Sequence, residues 1–275
     1  MTKFLGIVFI ALVAVTANSN ASPFAIGPTA VETGLTNCLT GDVLNCSGGA
    51  DGHHVVSKEL VCPIGGEKFT GFYLSTYSTY GRHLDWEPVS YMRFPIPIPV
   101  CPSNGYVMTG DKLDKDEIEG YKKLLESKPY KDIYAQKHAT YFLFAKLSEL
   151  SGEKSVDYWW LYLNATWEAD NCKNKVRYKE YALETIAAAK KKLAELKDSE
   201  ELYWILKTIT PEMHRRIGDF KTAQELVDKF GTPALKEKET NEYFMLAKTV
   251  LQKAINDKNT DRVEIKDARE DLKSK

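Results

Sequence analysis

KVRYKEYALETIAAAKKKLAELK, residues 175–197, is the stretch from which the architecture follows. Its apolar residues Tyr178, Ala182, Ile186, Ala189, Leu193 and Leu196 fall three or four positions apart, as one face of an α-helix requires, and no glycine or proline interrupts them. A single amphipathic helix cannot bury its own stripe, so this one predicts helical neighbours. Tyr141, Phe144, Ala145 and Ser148 form one stripe and Leu143, Leu147 and Leu150 another, predicting a helix around 135–150 covered on both sides, with Gly152 as its stop. Ser155 is placed to cap the next helix, whose Val156, Trp160, Leu163 and Trp167 share a face. Ser199 opens a helix carrying Leu202, Ile205, Leu206 and Ile209, and Thr210 with Pro211 reads as a restart after it. Gly218 and Asp219 precede a helix with Phe220, Ala223, Val227 and Phe230, closed by Gly231 and Pro233. A last pair is expected over 238–256 and 261–273.

Helices of this length joined by tight turns pack as antiparallel hairpins. Gly152 before Val156 and Trp160, and Gly218 before Phe220, Ala223 and Val227, give punctuation similar to tetratricopeptide (TPR) repeats, so residues 111–275 are expected to form a solenoid-like, TPR-like array.

Upstream the composition changes. Residues 22–110 hold eight of the eleven prolines and twelve of the seventeen glycines, which precludes long helices and predicts short strands and turns. The expected fold class is therefore α+β, mostly α, with a small Gly/Pro-rich strand-and-turn module and a boundary near Gly110. Lys3, the apolar run Phe4 to Val15 and the small residues ending at Ala21 have the order of a secretory signal peptide over residues 1–21. No second apolar stretch approaches membrane length, so the mature chain is expected to be exported, into a periplasm as the working choice, without a membrane span. The 37 Lys and Arg against 38 Asp and Glu leave no basic surplus for nucleic acid.

Two segments in the first half are alike. Leu60-Val61-Cys62-Pro63-Ile64-Gly65-Gly66 and Val100-Cys101-Pro102-Ser103-Asn104-Gly105-Tyr106 each place Cys-Pro after an apolar residue and glycine shortly beyond. A zinc knuckle needs a second cysteine three positions after the first, where these segments hold Gly65 and Asn104. With Phe69, Asp85, Trp167 and Arg215-Arg216-Ile217-Gly218-Asp219-Phe220, the chain resembles a family of bacterial proteins with a zinc-ribbon-like, double Cys-Pro knuckle module followed by TPR-like helices. The resemblance implies a ribbon-plus-repeat architecture and a binding or scaffolding role, and it brings no catalytic residues.

In an oxidising compartment, two cysteines descended from one metal centre can be joined directly, so a Cys62–Cys101 disulfide is expected. Cys38 and Cys46 are expected to form a local second bridge, leaving Cys172 over. The alternative keeps zinc, with His53, His54 or His83 joining Cys62 and Cys101 as ligands of a sensor or hydrolase. His83 and Asp85 could also form an acid–base pair, although the neighbouring glycines favour a surface turn. Trp159 and Tyr162, off the Trp160–Trp167 stripe, are the expected binding surface for a protein or peptide partner. These features predict a non-enzymatic scaffold without a cofactor; a structural subunit of an envelope assembly is the third reading.

Overall fold

The structure, a computed structural model, describes residues 55–74, 76–109 and 112–266. The expected signal peptide, Cys38, Cys46, His53, His54 and the boundary at Gly110 lie outside the described residues. Strand β1 (Val55–Val61) pairs antiparallel with β2 (Lys68–Leu74) in the register Val61↔Lys68, and β3 (Gly81–Arg82) pairs with β4 (Pro88–Val89). Eight helices follow among the described residues: α1 (Lys115–Glu126), α2 (Lys128–Ala135), α3 (Thr140–Ser151), α4 (Tyr158–Asn171), α5 (Lys175–Leu193), α6 (Glu201–Arg216), α7 (Phe220–Asp228) and α8 (Lys238–Asn256). The fold is α+β and mostly α. From α1 to α7 each helix packs on the next, and α8 packs on both α6 and α7.

Local chemistry sets the helix starts. Asp114 accepts from the Asp116 and Glu117 N–H groups while Glu117 accepts from the Asp114 N–H, a capping box that opens α1. Ser127 caps α2 with Pro129 in its first turn. Helix α3 has no side-chain cap from its own N-cap residue, Ala139. Its cap arrives from α4: the buried Glu168 carboxylate accepts from the Thr140 N–H (3.3 Å), the Thr140 hydroxyl (2.7 Å) and the Tyr141 N–H (3.1 Å).

Several expected boundaries are corrected. Ser155 does not cap α4, which begins at Tyr158 after Asp157. Thr210 and Pro211 lie inside a continuous α6, where the Thr210 hydroxyl donates to the Leu206 carbonyl (2.8 Å) instead of capping a new helix. The described part of the last expected helix is extended: the Ile265 N–H donates to the Arg82 carbonyl and the Leu84 N–H to the Val263 carbonyl, both at 2.8 Å. The tail thus extends the β3–β4 ribbon.

Apolar side chains gather in two clusters. One spans α3 to α8 and takes in Leu84, Trp86 and Ile265; the other surrounds Cys62 and Cys101 with Tyr106, Val107, Leu125 and Tyr130. Helix α3 serves both, giving Ala145 of one expected stripe to the first together with Phe142, which neither stripe held, and Leu143 and Leu147 of the other stripe to the second; Leu150 is exposed.

The segment Phe94–Pro99 joins the two halves. Its prolines cannot donate to a ladder, and helix side chains satisfy what remains. Asn171 donates to the Phe94 carbonyl (2.7 Å), the Tyr141 hydroxyl to the Ile96 carbonyl (3.2 Å), and the Ile98 N–H to the Thr140 hydroxyl (3.0 Å). Glu168 therefore stands behind both the cap of α3 and the clasp on this strand.

Burial raises the Glu168 carboxyl from 4.5 to about 7, against the hydrogen bonds that favour its charge. The folded chain then keeps a proton that the unfolded chain releases between those values, so this group's stabilisation is complete below about pH 4.5 and is lost as pH rises through 7. Unfolding free energy should fall by about 3 kcal/mol from this group as pH rises through that window. Urea denaturation of Glu168→Gln across the same range should show a shallower decline; a slope equal to that of the parent chain would contradict the assignment.

Candidate functional site

The β3–β4 turn inserts charge into the helical core. The His83 N–H donates to the Glu87 carbonyl and the Trp86 N–H to the His83 carbonyl, both at 2.9 Å, and Trp86 takes a left-handed φ of 68°. Trp86 is fixed there by stacking on Phe244 (5.7 Å between centroids) and meeting Tyr243 edge-on. The turn directs Asp85 and Glu87 inward, with Asp85 fully buried.

There they meet groups from three other places in the chain. Arg216, at the end of α6, lies 3.6 Å from Asp85 and donates to Asp170, at the end of α4, at 2.7 Å. Arg262, beyond α8, lies 3.5 Å from Asp85 and 2.8 Å from Asp170 and contacts Glu87. Burial raises the Glu87 carboxyl to about 8; Arg262 opposes the shift, and Asp85 and Asp170 add to it. Two guanidiniums thus face three acids, Asp85, Asp170 and Glu87. Beneath, the fully buried Glu212 and Arg215 form a bidentate pair at 2.7 and 2.6 Å, and Arg215 also donates to the Asn259 and Asp261 carbonyls.

A cleft of about 450 Å³ opens beside this lattice. Asp170, Asn174, Tyr178 and Arg216 line it together with Lys173, Lys175 and Lys179 at the start of α5. Arg216 is buried, its guanidinium 4.7 Å above the Tyr178 ring, and its Nε and Nη1 make no hydrogen bond among the described residues. Asn174 caps α5 by accepting from the Arg177 N–H, and no acidic residue occupies the helix's first turn.

The two knuckles form a second centre. In each, a cysteine N–H donates across a tight turn (Cys62 to the Glu67 carbonyl, Cys101 to the Tyr106 carbonyl) and the glycine four positions on, Gly66 or Gly105, has positive φ and donates back to the cysteine carbonyl. Cys62 and Cys101 are joined by a disulfide with Cα atoms 5.6 Å apart. Zinc, implied by the resemblance, does not fit. Both thiols are consumed, and Asn104 presents its amide N–H to the Cys62 sulfur (3.4 Å) as a donor, not a ligand. At the corresponding position after the other cysteine, a Cβ on Gly65 would lie 2.1 Å from the Glu67 carboxylate. That carboxylate binds the Ser103 hydroxyl at 2.6 Å and so links the knuckles a second time.

The structure moves other expected residues. His83 sits with Asp85 and Glu87 and not with the cysteine pair; Arg262, packed against both acids, opposes a cation there. Burial holds the His83 imidazole below its ordinary value. Asp85 is not a surface-turn residue, as its four-way lattice shows. Trp159 and Tyr162 are core residues, 6% and 2% exposed, because α4 lies between α3 and α5 and is covered nearly all round. Cys172 is not left over: it is disulfide-bonded, to a partner outside the described residues. Asp170, Arg216 and Arg262 were not anticipated as a set, since they lie 46 residues or more apart in sequence. Comparison with family models, curated proteins and solved structures returns no match for this chain.

Two outcomes follow from this chemistry. Arg216→Met should destabilise the fold by roughly 3 kcal/mol or more, because Asp85 loses a buried counter-charge, whereas Lys68→Met at the exposed Lys68–Glu59 pair should change it by less than about 1 kcal/mol. Urea melts of the two variants should differ accordingly; equal effects would mean the lattice is not needed for stability. The Cys62–Cys101 bridge closes a 39-residue separation, so replacing both cysteines by serine should cost about 4 kcal/mol. Chelators should leave the melting temperature of the oxidised protein unchanged.

Proposed function

We propose that this protein is an exported, non-enzymatic binding scaffold of the cell envelope, in the periplasmic setting, whose TPR-like helical array takes up a protein or peptide partner. The observation that carries the reading is the outer side of α5. Its inner residues Tyr178, Tyr181, Ala182, Ile186 and Ala189 are buried in the array, while Val176 and Leu183, two helical turns apart, stand 80% and 50% exposed. Two exposed apolar side chains on the outer face of a helix whose inner face is packed suit a contact surface.

The lattice supports a scaffold over an enzyme because its acids and arginines are engaged with one another. The disulfide supports an oxidising compartment, and among the described residues no helix is long and apolar enough to cross a membrane.

Peptides selected by display against the oxidised protein should lose at least roughly tenfold in affinity on Val176→Asp with Leu183→Asp, a loss of about 1.4 kcal/mol. Both sites are exposed, so the melting temperature should hold. Failure to select any binding peptide, or binding indifferent to the double change, would remove this reading.

A further inference from the structure

We infer that the groove between β2 and the Pro97–Pro99 segment takes up an extended, apolar peptide carrying a carboxylate, which pairs with β2 as an added strand. This site lies in the strand-and-turn half and is separate from the outer side of α5.

The register locates the hydrogen-bonding groups that β2 has to spare. The Cys62 N–H donates to the Glu67 carbonyl, so the antiparallel alternation makes Leu60↔Phe69 and Lys58↔Gly71 the hydrogen-bonded pairs. Thr70 and Phe72 then turn their N–H and C=O groups away from β1. Among the described residues nothing bonds to those groups from the outer side.

The chain cannot answer them itself. Residues 69–72 line one side of a groove of about 380 Å³ and residues 97–100 the other. Pro97 and Pro99 have no N–H, and the Ile98 N–H is already given to the Thr140 hydroxyl at 3.0 Å. The wall facing β2 is thus stripped of the donors that the Thr70 and Phe72 carbonyls need. A strand edge left open in this way is a template for another backbone, and an extended peptide supplies N–H and C=O groups at the matching spacing. Phe72, 52% exposed, together with Phe69 and Ile98, offers apolar contact to its side chains.

Charge completes the description of the occupant. Lys137 is the only charged residue lining the groove; it is exposed, with its ammonium 5.4 Å from the centre of the Tyr134 ring. Among the described residues it has no ion pair. A single carboxylate on the peptide is the complement of that cation.

The test uses the full-length oxidised protein and an acetylated, amidated Val-Thr-Val-Thr-Val-Asp peptide, followed by titration calorimetry. The peptide should bind, and its depsipeptide analogue, with esters in place of the internal amides, should bind at least roughly tenfold more weakly, because its donors are gone with no bulk added. Thr70→Pro, which removes an outward N–H at a strand edge, should weaken the parent peptide by about fivefold. Lys137→Glu should weaken it by about fivefold as well. Lys137 is exposed, so that variant should keep the parent melting temperature, and it carries the test if the proline variant does not fold. Absence of binding, equal binding of the depsipeptide, or binding indifferent to Lys137→Glu would overturn the inference. So would loss of binding on Val176→Asp with Leu183→Asp, which would move the peptide to α5 and leave the scaffold reading standing.

Discussion

Buried charge must be answered by charge, and that requirement organises this molecule. Asp85 is fully buried, and its counter-ions come from the end of α6 and from the segment beyond α8. Asp170 bridges the same two arginines from the end of α4. Four stretches distant in sequence must therefore meet at one point. Such a lattice need not be more stabilising than an apolar core of the same shape, but removing any one member strands the others in a medium that cannot hydrate them. It acts as a specification of register. The left-handed Trp86 is the local consequence, because the turn must bring Asp85 and Glu87 inward while the indole finds Phe244.

The strand-and-turn half is fixed by different means. Its ribbons are too short to be stable alone, and its Pro95–Pro99 segment cannot pair as a strand would. Side chains of α3 and α4 supply the missing hydrogen-bond partners, and the disulfide ties the two knuckles at their bases. Helix α2 closes the second knuckle: the buried Tyr130 hydroxyl donates to the Gly105 carbonyl at 2.5 Å. Gly105 needs its positive φ and also its bare Cα, since a Cβ there would lie 2.7 Å from the Tyr134 ring. The covalent bond and the Glu67–Ser103 link hold together what a shared metal would hold in an intact zinc knuckle.

How much of this was legible in the sequence depends on the range of the deciding interaction. Periodicity found α5, and the double stripe of α3 correctly called for cover on two sides, because both signals are local. The Asp114-to-Glu117 capping box and the Ser127–Pro129 start were equally local and equally readable, yet α1 and α2 were not anticipated as separate helices. Pro211 misled because a proline at a helix start and one inside a helix look alike locally. Trp159 and Tyr162 misled because a helix packed on two sides has no free face, and only the neighbours reveal that. The tail after α8 reads as helix by its charge pattern, but ladder bonds to β3 and the demand for Arg262 in the lattice hold it extended. The knuckles and their cysteine pair were legible; the partner of Cys172 and the lattice were not, since neither leaves a local mark.

The same fold separates two uses of charge. The lattice arginines and acids answer one another and set the positions of α4, α6 and the tail. The lysines at the start of α5 answer nothing nearby, although they sit where a helix prefers acids. Arg216 is held by Asp85 and Asp170 and also lines the cleft beside these lysines. The turn between α4 and α5 is fixed by its own backbone. Lys173 occupies the left-handed position there, at φ 54°, with its N–H on the Asp170 carbonyl and the Asn174 N–H on the Ala169 carbonyl. A lysine where glycine is the usual choice carries a conformational cost. In return it places a cation at the mouth of a cleft whose base the lattice already holds rigid.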